Sequence, residues 1–579
     1  MERPSAFQGL EAAWLHEGIA DFEVSRVLSL GDHWMAGRYM PIVQDAVRRH
    51  RELPLPLDEL SSFENLPQEQ VELAYAQSWS VVSFVVERYG LAGLRRLTAE
   101  TIASGDTATA LRTALGVDME AFQADWREYV LAGGVPDDLA SLARRFDADQ
   151  ALAHIAVLSS PAYGGRAAGT DGADRAAAYI ADQFAALGLE PLGDPLTVTE
   201  SSERGYLQWL PISHTHLITT PALVLLDAEG NVLHEFTHRQ DFVESAGEGV
   251  VEGKLVWVRS GDLAGMRFGG AVVLEWDVRD PVARAAQLAD HGAGGLIVAT
   301  DKEPEDLQAE SPTPASESAV GIPVFEITEA AFETLLGRVG VEYPDLASSP
   351  PALPLGVQVR QSLVRSPVTT TLTANVLGLL PGSDPGLAGE MLVVGAHYDH
   401  IGQLPDGLYF PGANHNASGV GALLEMARVW RAQGYRPARS VLFVAWGAEE
   451  LDSAGVAYYL DHPAVPLTRT VGIIALDSIG GGRGYRLLFY GIQDHDLPLA
   501  QRLEAAAARL DRRAWRRGST GDGWQALFNS VGIPTLKLIW DKAESDFYLP
   551  TDTADRIDLE RLASSGEILT LTVSWLASR

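Results

Sequence analysis

The sequence predicts a multidomain protein: an α-helical N-terminal domain, then an α/β/α domain on a mostly parallel sheet, interrupted by a β-rich insert. Three observations predict it. The chain has 579 residues, more than one hydrophobic core serves. Residues 1–135 carry apolar positions at helical spacing, whereas 205–365 carry short β-branched runs. From Asn375 onward strands and helices alternate, the pattern of a parallel sheet covered on both faces.

The elements follow in order. Ala74–Tyr89 repeats apolar residues near every 3.6 positions and is expected to stop at Gly90, with similar patterns over 91–103 and 118–131. Gly133-Gly134-Val135-Pro136 closes this domain. A second unit, 147–204, holds a helix over 172–187 with Ala176, Tyr179, Ile180, Phe184 and Leu187 on one stripe. The insert 205–365 reads as strands at 222–227, 254–258, 271–275 and 295–299, with a helix near 280–291. Asp301 to Val320 is acidic and rich in Ser and Pro and reads as a mobile surface loop. In 366–579, strands are expected at 391–396, 440–446, 471–476 and 534–539. Helices are expected at 417–432, 449–460, 496–510 and 558–577.

Composition excludes several function classes. A net charge of −33 opposes binding to nucleic acid or an anionic membrane. With no cysteine, thiolate ligands, disulfides and cysteine nucleophiles are ruled out, so any metal is held by His, Asp and Glu. No run reaches the roughly 18–20 apolar residues of a membrane span. Only four basic residues are lysines: Lys254, Lys302, Lys537 and Lys542.

In such sheets ligands bind beyond the carboxyl ends of the strands. Three polar clusters fall there: His397-Tyr398-Asp399-His400, Glu449-Glu450, and Asp477. A fourth segment, Gly412 to Gly419 (GANHNASG), precedes a helix that Asn416 or Ser418 could cap. Any one cluster alone is a solvated loop or a cap. Together, at the ends of strands of one sheet, they converge on a single cleft. The run Gly480-Gly481-Gly482 lacks the Lys-Ser/Thr sequel of a phosphate loop and reads as a flexible loop beside the site.

GAHYDHIG (395–402), GANHNASG (412–419), VAWGAEEL (444–451), ALDSIGG (475–481) and FYLPTDTADRID (547–558) resemble the ordered motifs of metallopeptidase family 28. That group includes bacterial leucyl aminopeptidases, glutamate carboxypeptidase and the transferrin receptor. GGRAAGTDG (164–172) resembles the family's N-terminal element, and 205–365 resembles a protease-associated domain. The resemblance implies a phosphorylase/hydrolase-like fold and two zinc ions about 3.5–4 Å apart. It implies His397 and Asp477 as ligands of the first zinc and Glu450 as ligand of the second. Asp399 would orient His397, and Glu449 would be the general base.

Two ligand positions depart from the family pattern. His415 stands where the family has a metal-bridging Asp, and a neutral imidazole offers one lone pair. Tyr548 stands where the family has its last His, and a phenol of pKa near ~10 is a poor ligand. Gly521-Asp522-Gly523-Trp524 also departs from a Ser-Asp-His pattern. The first site then keeps His397, His415 and Asp477, which suffices for one zinc. The second keeps only Glu450, so one ion is expected rather than two. His400 receives no role and reads as a surface or supporting residue, and Asp552 as a maker of turn hydrogen bonds.

Trp14 to Phe22 resembles the WLxEGLA helix of gluzincin-type (peptidase MA-like) metallopeptidases, with Glu17 at the third zinc-ligand position and no HExxH upstream. This domain is expected to bind no zinc. The match starts almost at Met1, which raises the expectation of an incomplete N-terminus, an upstream signal peptide and an extracellular or cell-envelope bacterial protein. A cytoplasmic chain is the alternative. The string His234-Glu235-Phe236-Thr237-His238 follows a hairpin turn and reads as a strand, where residues four apart lie about 13 Å from one another and cannot share a metal. The reading is a zinc-dependent exopeptidase, an aminopeptidase acting on peptides, whose acidic surface suits a cationic amino terminus. The alternatives are an inactive homologue that binds a partner, or a one-zinc amidohydrolase or cyclase.

Overall fold

The computed structural model describes residues 13–27, 39–40, 42–47, 55, 66–131, 134–196, 204–259, 261, 263–309, 320–491, 496–518 and 523–578. The N-terminal region is helical: Ala13–Val27, Gln68–Ser104, Thr107–Leu115 and Met119–Leu131. They enclose a core of their own around Trp14, Trp79, Phe84, Phe122 and Trp126. The stop expected at Gly90 is a kink. Gly90 leaves the helical region at φ 70° and ψ 172°, and the helix resumes beyond it to Ser104. Glu17 lies in the first helix, 3.2 Å from the Nδ1 of His16.

Among the described residues nine strands form the central sheet. Its four inner strands, Ser440–Trp446, Met391–His397, Thr470–Leu476 and Thr535–Trp540, run parallel. The expectation of a mostly parallel sheet needs correction, because the flanks are antiparallel. Thr369–Leu380 runs opposite to Ser440–Trp446, and Leu487–Tyr490 opposite to Thr535–Trp540. No helix separates Thr369–Leu380 from Met391–His397, and without a crossover the chain cannot re-enter the sheet in the same direction. Helices cover both faces. On one, Ile155, Ile180, Leu423 and Leu569 pack on Val394 and Phe443. On the other, Tyr459, Trp524 and Phe528 pack on Val393 and Trp446.

Leu207–His214 joins the central sheet beside Thr369–Leu380, so the separate structure within 205–365 begins only after it. That structure is a sheet running from Val232–Phe236 at one edge to Phe242–Ala246 at the other, with its own cores on both faces. His234-Glu235-Phe236 is on a strand, as the hairpin reading requires. Of the acidic Ser/Pro loop, Pro304–Ala309 is helical, and 310–319 lies outside the described residues.

Candidate metal centre

The register of the inner strands brings the site together. His397 pairs with Trp446, Ala396 with Leu476, and Leu476 with Leu538, so their carboxyl ends finish level. His397, Glu449-Glu450 and Asp477 emerge there. The acidic pair is on a loop rather than in the expected helix 449–460, which begins only at Ala454. Left-handed turns at Ala448, Asp452 and Ser453 shape that loop.

The carboxylate of Asp399 anchors it. One oxygen accepts from the N–H of Glu449 at 3.0 Å, the other from Glu450 at 3.1 Å. Asp399 also meets His397, mainly through its backbone. The contact that orients His397 comes from the Asp399 carbonyl, 3.2 Å from Nδ1, while the nearest carboxylate oxygen stands 3.9 Å off. With Nδ1 so engaged, Nε2 of His397 is the free end of the ring, buried and without a hydrogen-bond partner.

His415 sits between two acids. Its Nε2 is 3.7 Å from Asp477 Oδ1 and its Nδ1 3.6 Å from Glu450 Oε1. The ring stacks on Phe547 at 3.6 Å. Burial lowers its pKa to about 3 against the pull of Asp477, so the ring is neutral. Asp552, expected to bond within its own turn, reaches instead across to the loop before the helix, accepting from the N–H of Asn414 and His415 at 2.8 and 3.0 Å. The cap position of the helix falls on Ala417; Asn416, one residue earlier, accepts from the N–H of Gly419 and also ties the loop to Leu476 and Ser478. Of the segment 521–524, only Gly523 and Trp524 are among the described residues.

Three residues fall outside the sequence reading of the site. His400 is 1% exposed, which leaves the supporting half of its reading and not the surface half, with Nδ1 3.2 Å from Glu450 Oε1. Its position beside Asp399 at a strand end was the available signal. Lys537 lies in the strand Thr535–Trp540, opposite Ala475. Paired residues share a face and the period is two, so Lys537 meets Asp477, at 2.6 Å. A lysine inside PTLKLIW, in a chain with four, was its signal. Burial works against the Asp477 carboxylate, but Lys537 and then His415 outweigh it and hold its pKa low. Arg166, from GGRAAGTDG, is fully buried and donates to four backbone carbonyls: Tyr398, Leu158, Pro411 and Gly412, at 2.6–2.9 Å. It ties that segment to the end of the strand bearing His397, beside His400, and to the loop bearing His415.

Glu450 therefore has partners. Tyr548 donates to its Oε2 at 2.8 Å, and both His400 and His415 face Oε1. Burial, then Glu449 and Asp399, push its pKa well up. Burial also raises Glu449, with His397 opposing.

The donor set fits a divalent metal. Ligand atoms of His397, His415 and Asp477 lie within 4.8 Å of one another, as do those of His400, His415 and Glu450, and of His397, Glu449 and Glu450. Tetrahedral ligands at zinc's 2.0–2.1 Å are about 3.3 Å apart. The spacings of 3.2, 3.6 and 3.7 Å are close to that, and the imidazole nitrogens His397 Nε2 and His415 Nδ1 are buried without hydrogen-bond partners.

Residues 375–573 match Peptidase family M28. Residues 6–132 match the Peptidase MA superfamily. Among curated relatives, aminopeptidase YwaD of Bacillus subtilis is 28% identical over 194 residues, covering 32% of this chain and 40% of the relative. The probable lipoprotein aminopeptidase LpqL of Mycobacterium tuberculosis is 26% identical over 337 residues, 51% of this chain and 60% of the relative. The chain thus spans 40% to 60% of the length of these two relatives. The solved aminopeptidase from Aneurinibacillus sp. strain AM-1 superposes with a TM-score of 0.57 at 21% identity, covering 76% of this chain and 96% of that one, which is likeness of fold. The two matched stretches are thus similar to metallopeptidase domains, and no helix among the described residues is long and apolar enough to cross a membrane.

Proposed function

We propose that the chain is a zinc-dependent exopeptidase that removes N-terminal residues from peptides. The observation that carries this reading is an overlap. His397 belongs both to the group with His415 and Asp477 and to the group with Glu449 and Glu450. A ligand set and a carboxylate fit to move protons thus share one cleft.

His397, His415 and Asp477 would hold the ion. When bound, zinc supplies Lewis acidity, polarising a scissile carbonyl and acidifying water. Glu449 takes a proton from the attacking water and hands it to the leaving amine. Its raised pKa suits that exchange better than an ordinary carboxylate would. Asp399 holds Glu449 in place through its N–H. Lys537 keeps Asp477 ionised. The separate sheet within 205–365 would serve as a protease-associated domain at the substrate side, and an extracellular or cell-envelope location would agree with the lipoprotein relative.

The test is hydrolysis of aminoacyl chromogenic substrates with added zinc, wild type against Glu449→Gln. Removing the base is expected to cost about 10²–10⁴-fold in kcat. No hydrolysis by the wild type would sink the reading. One observation favours a second reading, a partner-binding protein without metal: Lys537 already neutralises Asp477. Zinc retained through gel filtration would eliminate it.

A further inference from the structure

We propose that His400, His415 and Glu450 form a second metal site, and that His415 gives one ring nitrogen to each of two ions. The proposal rests on the metallopeptidase reading for the first ion and adds the second. It departs from the single ion that the sequence alone implies.

Four observations carry it. The two ring nitrogens of His415 face different acids, Nε2 toward Asp477 at 3.7 Å and Nδ1 toward Glu450 at 3.6 Å. Nδ1 is buried and has no hydrogen-bond partner, although Glu450 is near. A third donor stands on each side: His397 with Asp477, and His400 with Glu450. Finally, the ring is held in this orientation. It stacks face to face on Phe547, and the loop beneath it is pinned through the His415 N–H to Asp552.

Each side then has three protein donors, the number a zinc with one open position requires. Tyr548 is left outside, donating its hydroxyl to the second oxygen of Glu450 and so aiming Oε1 at the two histidines. A neutral imidazole has one lone pair. Binding through both nitrogens therefore releases the ring proton to solvent as the second ion enters. The geometry also sets the spacing. Metal–nitrogen bonds of 2.0–2.1 Å on opposite sides of one ring put the ions about 6 Å apart, beyond the 3.5–4 Å of a carboxylate-bridged pair.

The full-length protein is stripped with a chelator, reloaded with excess zinc, passed through gel filtration and analysed for metal per chain. Two zinc ions are expected for the wild type, and one each for His400→Asn, Glu450→Gln and His397→Asn. Loading with copper(II) reads the bridge. Wild type with two copper ions is expected to lose most of its spin-resonance intensity at low temperature through exchange across the ring, and His415→Asn to lose that coupling. One zinc per chain in the wild type, unchanged by His400→Asn, would overturn the proposal, as would two copper ions that behave as independent spins. Peptide hydrolysis on the same samples separates the two readings. Two coupled ions without hydrolysis would sink the peptidase reading and leave this one standing; hydrolysis with a single ion would do the reverse.

Discussion

Removing the guanidinium of Arg166 tests how the site is held together. Arg166→Met keeps most of the side-chain volume but removes the donor from the carbonyls of Leu158, Tyr398 and Pro411, at a position that is 0% exposed, while Gly412 keeps the N–H of Ala417 at 3.2 Å. A buried acceptor left unsatisfied costs about 1–3 kcal/mol, so three cost about 3–9 kcal/mol. Against this, the variant no longer buries a cation, a penalty of several kcal/mol. Burial already lowers the Arg166 pKa to about 10, with Asp552, Asp399 and Glu450 opposing. The net expectation is a loss of about 3–5 kcal/mol. With a urea slope near 3 kcal/mol per molar, the unfolding midpoint falls by about 1–2 M. Tryptophan fluorescence in urea is the assay. Arg166→Lys separates charge from geometry, because one ammonium cannot reach four carbonyls spread around a planar fork. It is expected to lose nearly as much as Met. A midpoint for Arg166→Met within about 0.3 M of wild type would refute the reasoning, and full rescue by Lys would show that only the charge matters.

Other outcomes follow from the same geometry. Metal-free protein should weaken in mild acid through His415. Its folded pKa is about 3 and its unfolded pKa about 6.5. Between those values only the unfolded chain takes the proton, so stability is present above 6.5 and is lost as pH falls. From pH 6.5 to 5 the wild type should lose about 2 kcal/mol more than His415→Asn, read from urea midpoints in chelator. Zinc at a thousand times its dissociation constant should raise the stability of stripped protein by about 4 kcal/mol, seen as a higher melting temperature; no shift would argue that the orphaned nitrogens bind nothing. Tyr548→Phe deletes a hydrogen bond to a carboxylate. It should cost about 1.5–3 kcal/mol without changing metal content, whereas a lost ion would make the tyrosine a ligand.

Much of the architecture was legible because strand–helix alternation and β-branched runs are local signals. Met391–His397, Ser440–Trp446 and Thr470–Leu476 sit within a residue of their expected places. The antiparallel flank was not legible, because direction depends on whether a crossover helix exists between strands rather than on either strand's residues. Leu207–His214 pairs with Thr369–Leu380, over 150 residues away, and no local pattern reports such a partner.

By itself the sequence determined the cleft: which strand ends carry His397, Glu449, Glu450 and Asp477, since parallel strands with level carboxyl ends must bring them together. By resemblance it also set His415 and Tyr548 apart, at positions where family 28 metallopeptidases carry a bridging carboxylate and a ligand histidine. Only the tertiary structure decided what surrounds them. Whether the side chain of His400 points to solvent or to Glu450 is a matter of a loop's path, and that path is set by Arg166 gripping four carbonyls from a distant segment. The facing of Lys537 onto Asp477 follows from strand register. That His415 shows one nitrogen to each acid follows from the ring's seat on Phe547. Each is a choice between orientations of a residue already named, and packing makes that choice.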